Sequence, residues 1–278
     1  FIADLTNSTW RTLGLQFTAR YRWSKALDNV SSFFGNNFGV FGGSFTPNLL
    51  SPFDPEFDYG PADFDVRHRF ISSLIWEVPY NDGGCCGGNG GWRRWALAGW
   101  AVTGIFNFQT GFPFTAFDCS GTTTTSTGVT TVETPCPRAL IAPGADLGAI
   151  RDGQGTSFPD PTIPNRFNFL PITGNFVPFS TAATTFGTGF TTGFPPFPPN
   201  TLGRNFFRGP NFWNVDFGVY KRFAFSEETN IQIRGEFYNV FNHANLFTPG
   251  AVDIGSTNFI PAFKRGRRVI QLGARFTF

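Results

Sequence analysis

The chain carries two histidines, His68 and His243, and four cysteines, Cys85, Cys86, Cys119 and Cys136. His68 stands among Asp63, Asp65, Arg67 and Arg69, the densest polar cluster of the sequence. A histidine between carboxylates suits proton transfer or metal binding, but either role needs convergent partners or a perturbed pKa. The spacing offers neither, and a salt-bridged network fixing the start of a strand is the preferred role. There is no Gly-x-Ser-x-Gly turn, and the Gly-rich stretches lack the lysine and the strand-to-helix setting of a phosphate loop. The sequence therefore points to no catalytic residue, no cofactor and no bound metal, and away from an enzyme. The four cysteines also lack the regular spacing of a zinc site. Cys119 and Cys136 would close a small Thr-rich loop as a disulfide in an oxidising compartment, whereas adjacent Cys85 and Cys86 would be strained as a mutual pair.

The elements that position these residues have a period of two. Leu13, Leu15, Phe17, Ala19, Tyr21 and Trp23 alternate with polar neighbours, and so do Phe70, Leu74, Trp76 and Val78, with Ile71 and Ile75 blurring the contrast. Further segments place Trp100, Val102, Phe106 and Phe108 on one face, then Trp213, Val215, Phe217, Val219 and Phe223, then Ile231, Ile233, Phe237 and Phe241, and finally Ile270, Leu272, Ala274, Phe276 and Phe278. Six long strands are expected, each near the 9–11 residues that cross a bilayer at a tilt. Long irregular stretches, 25–67, 118–212 and 243–266, alternate with the shorter 79–95 and 226–229, which is the layout of an outer-membrane barrel. Aromatic residues fall near both strand ends, Trp10, Trp76, Trp100, Phe225, Phe276 and Phe278 at one, Trp23, Trp213 and Phe241 at the other. Lys221 interrupts the apolar face near an end, where it can snorkel.

Composition agrees with that layout. Only 14% of the 278 residues are charged, while Phe contributes 38 and Gly 33, against roughly a quarter charged in soluble domains. A net charge of +2 defines no polyanionic partner, so nucleic acid is not expected. No apolar run is long enough for a transmembrane helix. Met is absent, so residue 1 is not expected to be a translation start: either a leader was removed or the chain is the tail of something longer. Six strands fall below the eight of known membrane barrels, and an open sheet edge in lipid leaves backbone groups unsatisfied. The expected fold is thus all-β: part of an antiparallel transmembrane β-barrel, incomplete as given, spanning 1–278 as one domain with a long extracellular loop at 118–212.

Several stretches carry a more specific likeness. Tyr21-Arg-Trp-Ser-Lys-Ala-Leu-Asp28, Asp63-Phe-Asp-Val-Arg-His-Arg-Phe70, Gly99-Trp-Ala-Val-Thr-Gly-Ile105, Thr110-Gly-Phe-Pro-Phe114, Arg208-Gly-Pro-Asn-Phe-Trp-Asn-Val-Asp216 and Glu236-Phe-Tyr-Asn-Val-Phe-Asn-His243 occur in this order. Together with Lys221-Arg-Phe223 and the terminal strand, they resemble the carboxyl-terminal part of Oar-like TonB-dependent outer-membrane receptors, whose members usually carry a carboxypeptidase-regulatory-like domain at the amino end. The resemblance implies a 22-stranded barrel around a plug, with the plug and the TonB-contacting segment upstream. The insert Gly83-Gly-Cys-Cys-Gly-Gly-Asn-Gly-Gly91 and the basic Lys264-Arg-Gly-Arg-Arg268 depart from the family pattern.

The strand face bearing Arg20, Arg22, Arg69, Asn107, Gln109, Asp216, Gln232, Arg234, Glu236, Gln271 and Arg275 is the expected lumen face, contacting plug or substrate. Resemblance makes the ending a signal for the barrel-assembly machinery, with Leu272, Phe276 and Phe278 as its anchors. Arg265, Arg267 and Arg268 face either lipid phosphates or solvent. The Phe-rich loop 118–212 is the expected site of substrate or partner contact. Partners are then outer-membrane lipid, a plug and further strands from upstream or a partner chain, and TonB. The expected function is TonB-dependent uptake of an unidentified substrate, with a non-transporting surface adhesion or structural module anchored by the barrel as the alternative.

Overall fold

A computed structural model of the chain describes residues 1–10, 14–31, 54–79, 96–118, 138–145, 158–159, 166–171, 175–177, 200–226, 228–247, 251–253 and 259–278. Its frame is one antiparallel sheet, the wall, made of β1 (Ile2–Trp10), β2 (Leu15–Trp23), β3 (His68–Glu77), β4 (Trp100–Gln109), β5 (Phe212–Ala224), β6 (Asn230–Tyr238) and β7 (Val269–Thr277). They pair in sequence order, each with its predecessor. The wall has seven strands, one more than the six expected. The added strand β1 escaped the alternation test because Ile2 and Asp4 share one face while Ala3 and Leu5 share the other. A register shift between Asn7 and Trp10 also interrupts its pairing with β2.

Register sorts the side chains. Phe17 lies opposite Leu74, Phe70 opposite Phe108, Val215 opposite Phe106, Phe217 opposite Phe237 and Ile231 opposite Phe276, so one apolar face runs across the sheet. Ile71, Ile75 and Ile105 sit on the opposite, polar face, opposite Asn107, Thr103 and Asp216. This explains why Ile71 and Ile75 blur the sequence pattern.

The short connections meet at one end of the wall. There Gly14 adopts φ +60°, and a Cβ would lie 2.1 Å from the Glu77 carbonyl oxygen, so only glycine fits.

The described parts of the long connections gather at the other end into a cap. Leu27–Asp28 pairs with Gly60–Pro61, and Pro113–Phe117 lies between Phe207–Arg208 and Ala251–Asp253. The cap holds most of the fully buried apolar side chains among the described residues: Ala62, Phe114, Ala116, Ala139, Leu140, Leu202 and Phe207. In the wall the most buried apolar side chain among the described residues is Ala19, at 9%, while Leu272 is 79% exposed and Ile270 and Ile233 are each half or more exposed. Beside the cap, Phe259–Arg265 pairs with Asn245–Phe247 and Arg166–Pro171.

Candidate functional site

The polar face of the wall collects charges from six of its seven strands, while β4 contributes only uncharged polar side chains such as Asn107 and Gln109. Arg20 Nε donates to Asp4 Oδ1 at 2.6 Å. Glu236 accepts from Tyr220 OH at 3.2 Å and from Tyr238 OH at 3.1 Å, with Arg234 Nε at 4.0 Å. Arg234 lies across Gly273, its register partner, where a Cβ would come within 2.7 Å of the guanidinium. Asp216 Oδ1 accepts from Asn214 Nδ2 at 2.7 Å and from the Asn239 backbone at 2.9 Å, tying β5 to the end of β6. Arg22 and Arg69 are register partners on β2 and β3, and neither has a carboxylate partner among the described residues. Arg275, opposite Gln232, is likewise without one. Like charges directly opposite destabilise a sheet unless an anion or a polar surface lies against them.

Of the aromatic residues expected near the strand ends, the apolar face holds Trp76, Trp100 and Phe276 toward the short connections and Trp23 and Trp213 toward the cap, while Phe225, Phe278 and Phe241 lie just beyond the ends of β5, β7 and β6. The side chain of Trp10 lies outside the described residues. Lys221 is nearly buried on this face. Its Nζ donates to the Ala96 carbonyl at 2.9 Å and the Ala98 carbonyl at 2.5 Å, and lies 5.1 Å from the Trp100 ring centre. Instead of reaching into solvent, the amine is held by carbonyls of the adjacent turn.

At the cap end, two asparagines with φ 51°, Asn239 and Asn242, turn the chain after β6. Asparagine tolerates this left-handed region better than most residues. Asn239 brackets His243, donating from Nδ2 to its carbonyl at 2.8 Å and accepting its N–H at 2.9 Å. Asn245 does the same for Trp213 at 3.0 Å each way, and the Trp213 and His243 rings stack 4.0 Å apart. Burial there holds the His243 imidazole below its ordinary value.

The cap itself is held by three arginines. Arg204 donates to Asp28 Oδ1 at 2.5 Å, Ser31 Oγ at 2.6 Å and Asp63 Oδ1 at 3.2 Å. Asn205 Nδ2 donates to Asp63 Oδ1 at 2.6 Å and to the Pro61 carbonyl at 2.7 Å. Arg208 pairs with Asp65 and donates to the carbonyls of Asp65 and Gly111. Burial alone would raise the Asp65 carboxyl, but the Ala26 N–H, Arg208 and Arg67 outweigh it and keep the group below its ordinary value. Arg138 donates to Asp58 Oδ1 at 2.5 Å and to the Phe57 and Leu202 carbonyls. Its Nε is buried without a partner. Burial pushes its pKa down to about 10, against the pull of Asp58 and with the push of Arg204.

Asp63 and Asp65 thus enter an ion network, locally through Arg67, whose Nε donates to Asp65 Oδ2 at 2.9 Å, and further with Arg204, Asn205 and Arg208, which lie 141–143 residues away in sequence. His68 instead accepts or donates one bond with Tyr21 OH at 2.7 Å, and Arg69 points away on the wall. The sequence reading missed Asp58, Arg138, Arg204 and Asn205, and its one available signal was charge scattered through loops of a charge-poor chain. Cys119 and Cys136 lie outside the described residues, as do Cys85 and Cys86. Leu272, Phe276 and Phe278 are exposed, and the Phe276 and Phe278 rings stack 5.6 Å apart. Among the described residues no three of His, Cys, Asp and Glu converge as a metal site.

A sequential meander of tilt-length strands, apolar on one face and polar on the other, is the wall of a membrane β-barrel. The family model described as "Outer membrane beta barrel domain" matches residues 5–271, so the chain belongs to that family and resides in the outer membrane. No curated protein and no solved structure matches it.

Proposed function

We propose that the chain is the closing section of a TonB-dependent receptor of the Oar-like type that takes up a substrate across the outer membrane. The observation that carries this reading is the facing pair Arg22 and Arg69, on a polar surface with no carboxylate set against them among the described residues. Such a surface calls for a polar body in the lumen, and a plug with hydrogen-bonding groups at Arg20, Arg22, Arg69, Asp216, Arg234, Glu236 and Arg275 supplies one. The edges β1 and β7 each have one neighbour, so further strands, from upstream or from a partner chain, close the wall. By the usual asymmetry of loops, the cap faces outward and 118–212 contributes to substrate capture. Leu272, Phe276 and Phe278 then form the signal for the assembly machinery.

The test is a photo-crosslinking residue at position 69 in the full-length protein in cells. The expected product is an internal adduct with an upstream segment, and energy uncoupling at the inner membrane should change its yield. An adduct with lipid alone would overturn the plugged-receptor reading. A second reading, a non-transporting adhesion module, is favoured by the exposed Tyr59, Phe64 and Phe112 on the cap. It would be supported by an adduct indifferent to uncoupling and by loss of cell or matrix binding on replacing those three aromatics.

A further inference from the structure

The stretch before β7 places Lys264, Arg265, Arg267 and Arg268 together, all exposed and without a carboxylate partner among the described residues. In a chain with only 14% charged residues, this is a local concentration of one sign. Its neighbours make it more than a solvated loop. The Arg268 N–H donates to Asn242 Oδ1 at 3.2 Å, which fixes the basic stretch beside exposed Phe241. The Phe241 ring lies 6.1 Å from that of Trp213, whose place in the register is on the apolar face. Arg265 stacks over Phe247 at 4.3 Å, so its guanidinium is held over an aromatic plane. From this rim the apolar face continues down β7 and β6 through exposed Ile270, Leu272 and Ile233.

Cations above aromatic residues at the rim of an apolar face match a lipid whose phosphates lie at the interface and whose acyl chains lie below it. We infer that Lys264, Arg265, Arg267 and Arg268 seat the phosphates of an anionic outer-leaflet lipid, with its chains against Ile270 and Leu272. Charge-assisted bonds from several guanidiniums give such a headgroup more than a diffuse attraction. This inference rests on the outward orientation of the cap proposed above.

The experiment uses full-length protein purified in uncharged detergent and offered two glycolipids, one diphosphorylated and one with its phosphates removed, with retained lipid read by native mass spectrometry. Wild type should retain the phosphorylated form, and K264Q/R265Q/R267Q/R268Q should retain it at least about tenfold less, since each interfacial cation contributes on the order of 1 kcal/mol. R222Q, on the polar face, should retain it as wild type does. Equal retention by the quadruple variant, equal retention of the phosphate-free lipid, or displacement by inorganic phosphate would each overturn the assignment. An epitope inserted at Gly187 separates the two levels of the argument. If antibody fails to reach it on intact cells, the orientation is wrong, whatever the lipid data show.

Discussion

The wall and the cap are built on opposite principles. The wall has seven regular strands that pair backbone to backbone with their neighbours, yet its side chains on both faces are with few exceptions exposed or half-buried. The cap has strands of only two to five residues, yet it holds the buried Phe114, Leu140, Leu202 and Phe207 together with buried Arg138 and Asp58. The difference follows from solvent. Strands in lipid must satisfy their backbone locally, and their apolar side chains need no protein core because the hydrocarbon takes its place. Loops in water must bury apolar surface to hold a shape, and their irregular backbone needs side-chain partners. The arginines of the cap supply those partners by binding carbonyls as well as carboxylates.

If this contrast is right, the largest single effect lies in the cap. Asp58→Asn leaves the Arg138 guanidinium buried without its carboxylate, which costs about 3–5 kcal/mol. Limited proteolysis should then cut within 54–67 and 200–211, while the folded barrel band on a gel persists. Simultaneous loss of both would show that cap and wall are one cooperative unit.

The converse substitution acts on the wall. Leu272→Arg, near the middle of β7, places a charge on the lipid face at a cost of about 2–4 kcal/mol. Gln271→Arg, one residue away on the polar face, should cost well under half of that. Equal losses in urea unfolding in vesicles would mean that the two faces do not meet different solvents.

How far each region can be read from sequence follows from the same contrast. Six wall strands are legible because alternation such as Val215, Phe217 and Val219 records one face in lipid. β1 is less legible because Ile2 and Asp4 share a face, and the pairing shift after Asn7 hides the period. The cap is nearly invisible. Arg204 meets Asp28 across 176 residues and Arg138 meets Asp58 across 80, and no local period encodes such pairs. Within the Glu236-Phe-Tyr-Asn-Val-Phe-Asn-His243 stretch, the asparagines are turn residues, a role visible only once Asn239 and Asn242 are found at positive φ.

A third measurement concerns how the cap is tied. Phe117 and Arg138 form an antiparallel bridge, and the Ala139 N–H donates to the Ala116 carbonyl at 3.0 Å. Cys119 follows Phe117 by two residues and Cys136 precedes Arg138 by two, so in sequence each lies close to one side of that bridge. We propose that they are bonded as a disulfide. Closing a loop of this length stabilises by about 3 kcal/mol at most. Mass spectrometry of unreduced peptides should find the linked pair, and C119S/C136S should loosen the cap without changing the wall. Free thiols at both positions in protein from oxidised cells would refute the pairing.

The smallest effect separates the regions by pH. Asp65 keeps its carboxyl below the ordinary value of 3.8, so the ionised form is favoured in the folded cap. Its contribution is complete above that value and is lost as pH falls through the lower, folded value, because protonation removes the charge that Arg208 and Arg67 hold. Proteolysis of the cap should therefore accelerate below about pH 4. In Asp65→Asn, which is destabilised at neutral pH, part of that acid dependence should be missing. The wall serves as the comparison: its carboxylates Asp4, Asp216 and Glu236 lie on the polar face, and its resistance to unfolding should change less over the same interval, since its strands are held by backbone pairing and by uncharged apolar side chains facing lipid. A wall that weakens in step with the cap would place the acid-sensitive group elsewhere, and Asp65 would then be a bystander to the transition.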